Sequence, residues 1–276
     1  MSDKKPALPV PLNSGAVMPH IGFGVFDMDD PTTERATLDA LELGFRHIDT
    51  AAVYFNERAV GRAVAASGIP RGELFVTTKL WNNSHTDPRP ALETSLTELG
   101  LDYVDLYLIH WPDPAQGRYA DAWEGLAALA DAGLARSIGV SNFTIDQIDE
   151  VTARTGITPA VNQIELHPLH PQEDARNEHT ARGIVTQAWS PFARGKAFGT
   201  PVLATIAARH GRSESQVILR WALQLGVVPL PKSATRERIA ENLDVWDFEL
   251  ETTELDQISA LESDERVDST LYDRFQ

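Results

Sequence analysis

Short apolar runs alternate with longer amphipathic stretches along almost the whole chain. Runs such as Leu74-Phe75-Val76-Thr77-Thr78-Lys79 and Val104-Asp105-Leu106-Tyr107-Leu108-Ile109-His110 have the length and β-branched or aromatic content of buried strands. The stretches between them space apolar residues at helical intervals. The pattern predicts strands at 21–25, 47–50, 74–79, 103–110, 137–140, 160–166, 184–189 and 227–230. Helices are expected at 32–43, 57–66, 90–99, 120–132, 145–155, 174–182, 202–209, 214–225 and 237–243, with a last amphipathic segment at 253–261. Glycine follows most of these helices, as at Gly44 and Gly156, where a left-handed cap is needed.

Continuous strand–helix alternation implies a parallel sheet with right-handed crossovers. Eight such units fit an α/β fold of the (β/α)8 TIM-barrel type, with extra C-terminal helices. An open doubly wound sheet would carry a glycine-rich phosphate turn after its first strand, and Gly22-Phe23-Gly24 lacks the third glycine of that turn. Before the first barrel strand, Val10-Pro11-Leu12 and Ala16-Val17-Met18 flank the turn Asn13-Ser14-Gly15. They predict an N-terminal β-hairpin that caps the bottom of the barrel. No linker or repeat divides the chain, so residues 1–276 are expected to form a single domain.

Composition narrows the function classes. The chain has 276 residues, of which 42% are hydrophobic and 23% charged, as in an ordinary globular protein. No apolar run reaches the roughly 18 residues of a membrane span, and the first residues lack the apolar core of a signal peptide. With no cysteine, thiol catalysis, thiolate metal sites and disulfides are excluded, which fits a cytoplasmic protein. A net charge of −16 disfavours nucleic acid and anionic membranes as partners. Any phosphate site must then be a local basic patch working against the surrounding field.

Four polar residues stand at or just after strand ends: Asp49, Tyr54, Lys79 and His110. In a parallel barrel these ends share one mouth, where catalytic groups collect. Each alone has a bland reading as a cap, a packed ring, a solvated amine or a structural imidazole. Together they make a proton-donating site. A nearby ammonium, Lys79, lowers the pKa of the Tyr54 phenol. Asp49 holds Lys79 charged, and His110 orients a carbonyl oxygen. His167 and His170 lie near Glu173 and Asp174, but prolines 168 and 171 break any ligand spacing, so no metal is expected.

Four longer strings carry a family likeness: Gly44-Phe45-Arg46-His47-Ile48-Asp49-Thr50-Ala51, Gly139-Val140-Ser141-Asn142-Phe143, Val161-Asn162-Gln163-Ile164-Glu165-Leu166-His167-Pro168, and the run from Pro231-Lys232-Ser233 through Glu241-Asn242-Leu243. With the four polar residues they resemble the aldo-keto reductase superfamily. The compact loop after His110 resembles its bacterial branch, which includes the 2,5-diketo-D-gluconate reductases. The resemblance implies NADPH bound across the barrel mouth and reduction of aldehydes, ketones, dicarbonyls or keto sugars, with Tyr54 as proton donor. It implies that Ser141, Asn142 and Gln163 hold the nicotinamide carboxamide and that Trp189, followed by Ser190, stacks on the ring. Lys232, Ser233 and Arg238 match contacts to the adenosine 2'-phosphate, and Glu241 and Asn242 match contacts to the adenine. Arg236 stands where the family commonly has proline, and either touches phosphate or points to water. Phe26, Trp81 and Trp111 match the lining of the carbonyl pocket, with Val25 and Val53 expected close by. The resemblance suggests a monomer acting on a small-molecule carbonyl. The loop 192–200 and the tail 266–276 are expected at the rim. The alternative reading is a non-catalytic NADPH-binding barrel serving as a redox sensor or structural subunit.

Overall fold

In the computed structural model, which describes residues 9–263 and 265–267, eight parallel strands curl into a barrel ringed by helices. The strands are β3 (Phe23–Gly24), β4 (His47–Asp49), β5 (Phe75–Leu80), β6 (Val104–Ile109), β7 (Ala135–Ser141), β8 (Val161–Glu165), β9 (Val185–Trp189) and β10 (Val228–Pro229). Each pairs in parallel with its neighbour in chain order. Between β3 and β10 the ring is closed by two backbone bonds, Gly22 N to the Pro229 carbonyl at 3.0 Å and Gly24 N to the Pro231 carbonyl at 3.1 Å. Side chains packed over this seam leave no room for a Cβ at Gly22 unless they shift. A Cβ on Gly22 would lie 2.5 Å from the Leu230 side chain and 2.7 Å from His47 Nδ1.

The helices follow the predicted rhythm: α1 (Asp30–Leu43), α2 (Glu57–Ser67), α3 (Pro88–Leu99), α4 (Tyr119–Asp131), α5 (Ile145–Thr155), α6 (Glu173–Ala181), α7 (Pro201–His210), α8 (Glu214–Gln224), α9 (Arg236–Leu243) and α10 (Thr252–Ser259). Several of their starts are set by side chains that satisfy first-turn N–H groups. Asp29 accepts from Thr32 N at 3.0 Å, and Thr144/Gln147 and Ser213/Gln216 form reciprocal capping boxes. Helix α3 starts at Pro88, two residues before the expected start, because proline suits the first helical turn. Helices α7 and α10 are the additions to the eightfold pattern. The Trp221 indole on α8 donates to Ser259 Oγ on α10 at 3.1 Å and ties that corner together. No helix among the described residues is long and apolar enough to cross a membrane.

Strands β1 (Val10–Pro11) and β2 (Val17–Met18) form the expected antiparallel hairpin. Leu12 and Met18 are buried against Phe75, Leu106, Val161 and Val228, so the hairpin closes the barrel floor. Strand alternation then sets the interior. His47 and Asp49 share one side of β4, as Thr77 and Lys79 share one side of β5. The barrel axis thus carries a buried polar column beneath the mouth. The tail beyond residue 267, including Asp268, Tyr272, Asp273 and Phe275, lies outside the described residues.

Candidate active site

Asp49 ends β4, Lys79 is the penultimate residue of β5, and His110 directly follows β6. Tyr54 ends a short 3-10 turn, Ala52–Tyr54, that leaves β4 over the mouth. Buried Asn56 pins this turn. It accepts from Thr50 Oγ1 and donates to the Val25 carbonyl, both at 2.9 Å. The four groups converge. Lys79 Nζ donates to Asp49 Oδ1 at 2.5 Å and to the Thr50 carbonyl at 2.9 Å. The same nitrogen lies 5.1 Å from the centroid of the Tyr54 ring. The Tyr54 and His110 rings meet edge-on with centroids 5.6 Å apart, Trp81 meets His110 at 5.3 Å, and Phe26 meets Tyr54 at 5.0 Å.

Burial dominates the electrostatics. Lys79 is fully buried, which lowers its pKa, and the Asp49 carboxylate opposes that shift. The imidazole of His110 is held well below its usual pKa by burial and by Lys79, so it is neutral near pH 7. Its Nδ1 is buried without a hydrogen-bond partner, which favours the tautomer with the proton on Nε2. The phenol runs against expectation. Burial, and then the Asp49 charge, push the Tyr54 pKa well above that of a free tyrosine rather than below it. A buried phenol disfavours its own charge, and the ammonium it faces is already matched by a carboxylate. Tyr54 is therefore a neutral donor held beside an ion pair.

Across the barrel, β7 to β9 supply amides and an indole. Gln163 on β8 reaches over to β4, its Nε2 donating to Asp49 Oδ2 at 2.8 Å and to Gln187 Oε1 at 3.0 Å. Gln187 in turn directs its Nε2 toward the Met18 sulfur, 3.1 Å away on the floor hairpin. A thioether only accepts, so Gln187 must turn its oxygen upward. Gln163 must then give its NH2 group to the interior, which leaves its Oε1 to offer to the cavity. Ser141 Oγ donates to the Gln163 carbonyl at 2.7 Å and accepts from Asn142 Nδ2 at 3.0 Å. Trp189 Nε1 donates to Asn142 Oδ1 at 2.9 Å. Asn142 and Ser190 both sit in the left-handed region, at φ 62° and 50°. Strained backbone of this kind gathers where side chains must be aimed.

A cavity of about 480 Å³ opens over these groups. Its wall includes Phe26, Asp49, Tyr54, Trp81, His110, Trp111, Ser141, Asn142, Gln163, Trp189 and Ser190. It runs into an adjoining groove lined by Ser233, Glu241 and Asn242, and Lys232 and Arg238 border both. The groove thus leads from Tyr54 to the basic start of α9. The residues fit an extended dinucleotide. A flat indole and an open amide oxygen stand beside the proton donor, and two cations stand at the far end.

Some expectations are not met. Val25 is wholly buried in the core and Val53 is nearly so, and neither lines the cavity. Arg236 does not line the groove; its side chain lies exposed at the surface. It pairs with Asp39 and, at 2.8 Å, with Glu42 on α1. Glu241 accepts a hydrogen bond from Ser213 Oγ while bordering the groove. Among the described residues no cluster of ligands suits a metal, and His167 is engaged with Glu165 at 3.0 Å. Asn56, Gln187 and Arg194 are contributors that the sequence pattern did not single out.

Residues 20–263 match the aldo/keto reductase family. An aldo-keto reductase of Mycolicibacterium smegmatis is 47% identical over 260 residues, covering 94% of each chain. The methylglyoxal reductase DkgA of Escherichia coli is 46% identical over 260 residues, again covering 94% of each. Among solved structures, a Bombyx mori aldo-keto reductase in complex with NADP superposes with a TM-score of 0.90 at 38% identity, covering 97% of both chains.

Proposed function

The chain belongs to the aldo/keto reductase family, and on that premise we propose that it reduces small aldehydes and ketones with NADPH, with Tyr54 giving the proton. The observation that carries this reading is the buried Lys79–Asp49 pair beneath the Tyr54 ring, with His110 beside it, on the wall of a cavity that continues to Lys232 and Arg238. The NADP held by the Bombyx mori relative and the name of the Escherichia coli relative support the cofactor and the small-carbonyl class.

When bound, NADPH supplies the hydride. Trp189, Ser190, Ser141, Asn142 and Gln163 would hold the nicotinamide end, where Gln163 Oε1 would serve as an acceptor. Lys232, Ser233 and Arg238 would hold the 2'-phosphate, with Glu241 and Asn242 toward the adenine. His110, neutral and able to carry its proton on Nε2, donates to the carbonyl oxygen and fixes its direction. The Tyr54 hydroxyl passes its proton to the same oxygen as it becomes an alkoxide. Lys79 stands under the ring to stabilise the phenolate left behind, and Asp49 keeps Lys79 charged. Trp81, Trp111 and Phe26 exclude water from the reacting carbon.

We also place the chain beside the bacterial branch that includes the 2,5-diketo-D-gluconate reductases, which the short link from His110 to α4 supports. We also propose a monomer, on the family likeness alone. A non-catalytic NADPH-binding barrel has no observation in its favour, because it would need neither the buried ion pair nor the phenol above it. The test is Tyr54→Phe. We expect cofactor binding, followed by fluorescence quenching, to be retained, and carbonyl reduction to fall at least about 100-fold. Turnover near wild type in that variant would remove Tyr54 as the donor.

A further inference from the structure

We propose that Asn56 is a positioning residue for the reaction, one that fixes where the Tyr54 hydroxyl stands relative to Lys79. The inference rests on the reductase reading and adds to it the part that aims the proton donor. Asn56 immediately precedes α2, and asparagine at such a position ordinarily turns its side chain back onto the first-turn N–H groups. Here it makes no such bond. The side chain points instead into the wall of the mouth, where the residue is only 1% exposed. Its Nδ2 donates to the Val25 carbonyl at 2.9 Å and to Thr33 Oγ1 at 3.3 Å, and its Oδ1 accepts from Thr50 Oγ1 at 2.9 Å. One amide thus joins the end of β3, helix α1 and the end of β4, and both of its protons are used. An asparagine serving α2 alone would cap that helix; this one serves the mouth.

The turn that carries Tyr54 needs such an anchor. Its own backbone bonds, Tyr54 N to the Ala51 carbonyl at 3.0 Å and Phe55 N to the Ala52 carbonyl at 3.2 Å, are internal and do not tie it to the barrel. Phe55, between Tyr54 and Asn56, lies in the left-handed region at φ 57° with its ring 83% exposed. A non-glycine residue in that conformation persists only where its surroundings hold it, and a ring in water contributes no packing to do so. Phe26 and His110 meet the Tyr54 ring edge-on, which limits its tilt without binding the backbone beneath it. Thr50 then links the anchor to the ion pair. Its hydroxyl donates to Asn56 while its carbonyl accepts from Lys79 Nζ at 2.9 Å. The same amide therefore fixes the phenol, two residues away in the chain, and the residue that holds the ammonium, 5.1 Å from the phenol ring centroid. A donor that drifts by about 1 Å costs a reaction as much as about 100-fold in rate.

The test mixes enzyme–NADPH with methylglyoxal in single turnovers and follows NADPH oxidation in wild type, Asn56→Ala, Thr50→Val and the double variant. Thr50→Val removes the hydroxyl and keeps the carbonyl that Lys79 uses. In Asn56→Ala the rate at saturating aldehyde should fall by about 10- to 100-fold, while half-saturation by methylglyoxal and the NADPH Kd from fluorescence titration stay within about threefold. Thr50→Val should lose less, and the double variant should be no slower than Asn56→Ala within about twofold, because the two side chains act as one unit. A wild-type rate in folded Asn56→Ala, a loss confined to the binding constants, or losses that multiply in the double variant would each overturn the assignment. If Asn56→Ala does not fold, Thr50→Val decides alone: a slower step with unchanged binding supports the assignment, and a wild-type rate overturns it. A wild-type protein that leaves NADPH unoxidised across a panel of small aldehydes would instead overturn the reductase reading on which the assignment stands.

Discussion

Replacing Asp49 with asparagine should produce an instability that alkali repairs. Lys79 is fully buried, and its ammonium has two acceptors, the Asp49 carboxylate at 2.5 Å and the Thr50 carbonyl at 2.9 Å. Asparagine keeps the shape and removes the charge, which leaves a buried cation facing only neutral oxygens. Breaking a buried pair in this way costs about 3–5 kcal/mol. Burial already pulls the Lys79 pKa down, and Asp49 is the main group opposing it, so the variant's lysine titrates lower still. Between the variant's folded pKa and that of the wild type, only wild-type Lys79 still carries its proton. The stability gap between the two proteins should therefore shrink as pH rises through that window, by up to about 1.4 kcal/mol per pH unit. Urea unfolding followed by tryptophan fluorescence at about pH 7 and about pH 9.5 measures the gap. A gap that stays constant or widens would refute the argument that an unmatched buried charge causes the loss.

Two further outcomes follow from the same structure. Lys232→Ala with Arg238→Ala should weaken NADPH by about 100-fold or more while changing NADH little, because charge-assisted contacts to a phosphate are worth about 1.5–3 kcal/mol each; equal losses in parallel Kd titrations would misplace the phosphate site. His179 accepts from Asn162 Nδ2 at 2.9 Å and can donate to Thr186 Oγ1 at 2.9 Å, so it is held neutral, its pKa lowered by burial from 6.5 to about 4. The unfolded chain takes up that proton first as pH falls, so the contribution is complete above 6.5 and is lost toward 4. About 2 kcal/mol should be gone by about pH 5, and His179→Gln should flatten this part of the stability profile; an unchanged slope would contradict it.

Much of the barrel was legible because its signals are local. The helix periodicity, the capping residues and the terminal glycines placed most element ends within two residues. The two strands at the seam were over-read. Residues 21–25 and 227–230 look like ordinary strands, yet β3 and β10 shorten to two residues where the barrel closes through isolated bonds. The four catalytic candidates were legible because strand ends in a parallel barrel share one mouth. The direction of the Tyr54 shift was not, since depth of burial is set by the packed rings of Phe26, His110 and Trp81 around it. Arg236 is exposed, as one of its two readings had it, but its partners Asp39 and Glu42 were not foreseen because they are remote in the chain. Val25 and Val53 were placed by adjacency alone, and the core took them. Gln187 sits in a strand between Thr186 and Ala188, where nothing distinguishes it from any other buried polar residue.

The run from Met18 through Gln187 and Gln163 to Asp49 has a polarity. Because sulfur at the far end can receive a proton but never give one, each amide above it is oriented in turn, and the last presents oxygen outward. Part of the chemistry of the upper surface is thus encoded by a thioether at the opposite pole. A designer who rebuilt that pole with leucine would preserve every residue around the reacting carbon, yet would take away the one acceptor below the Gln187 amide and leave Gln163 held only by the carboxylate above it.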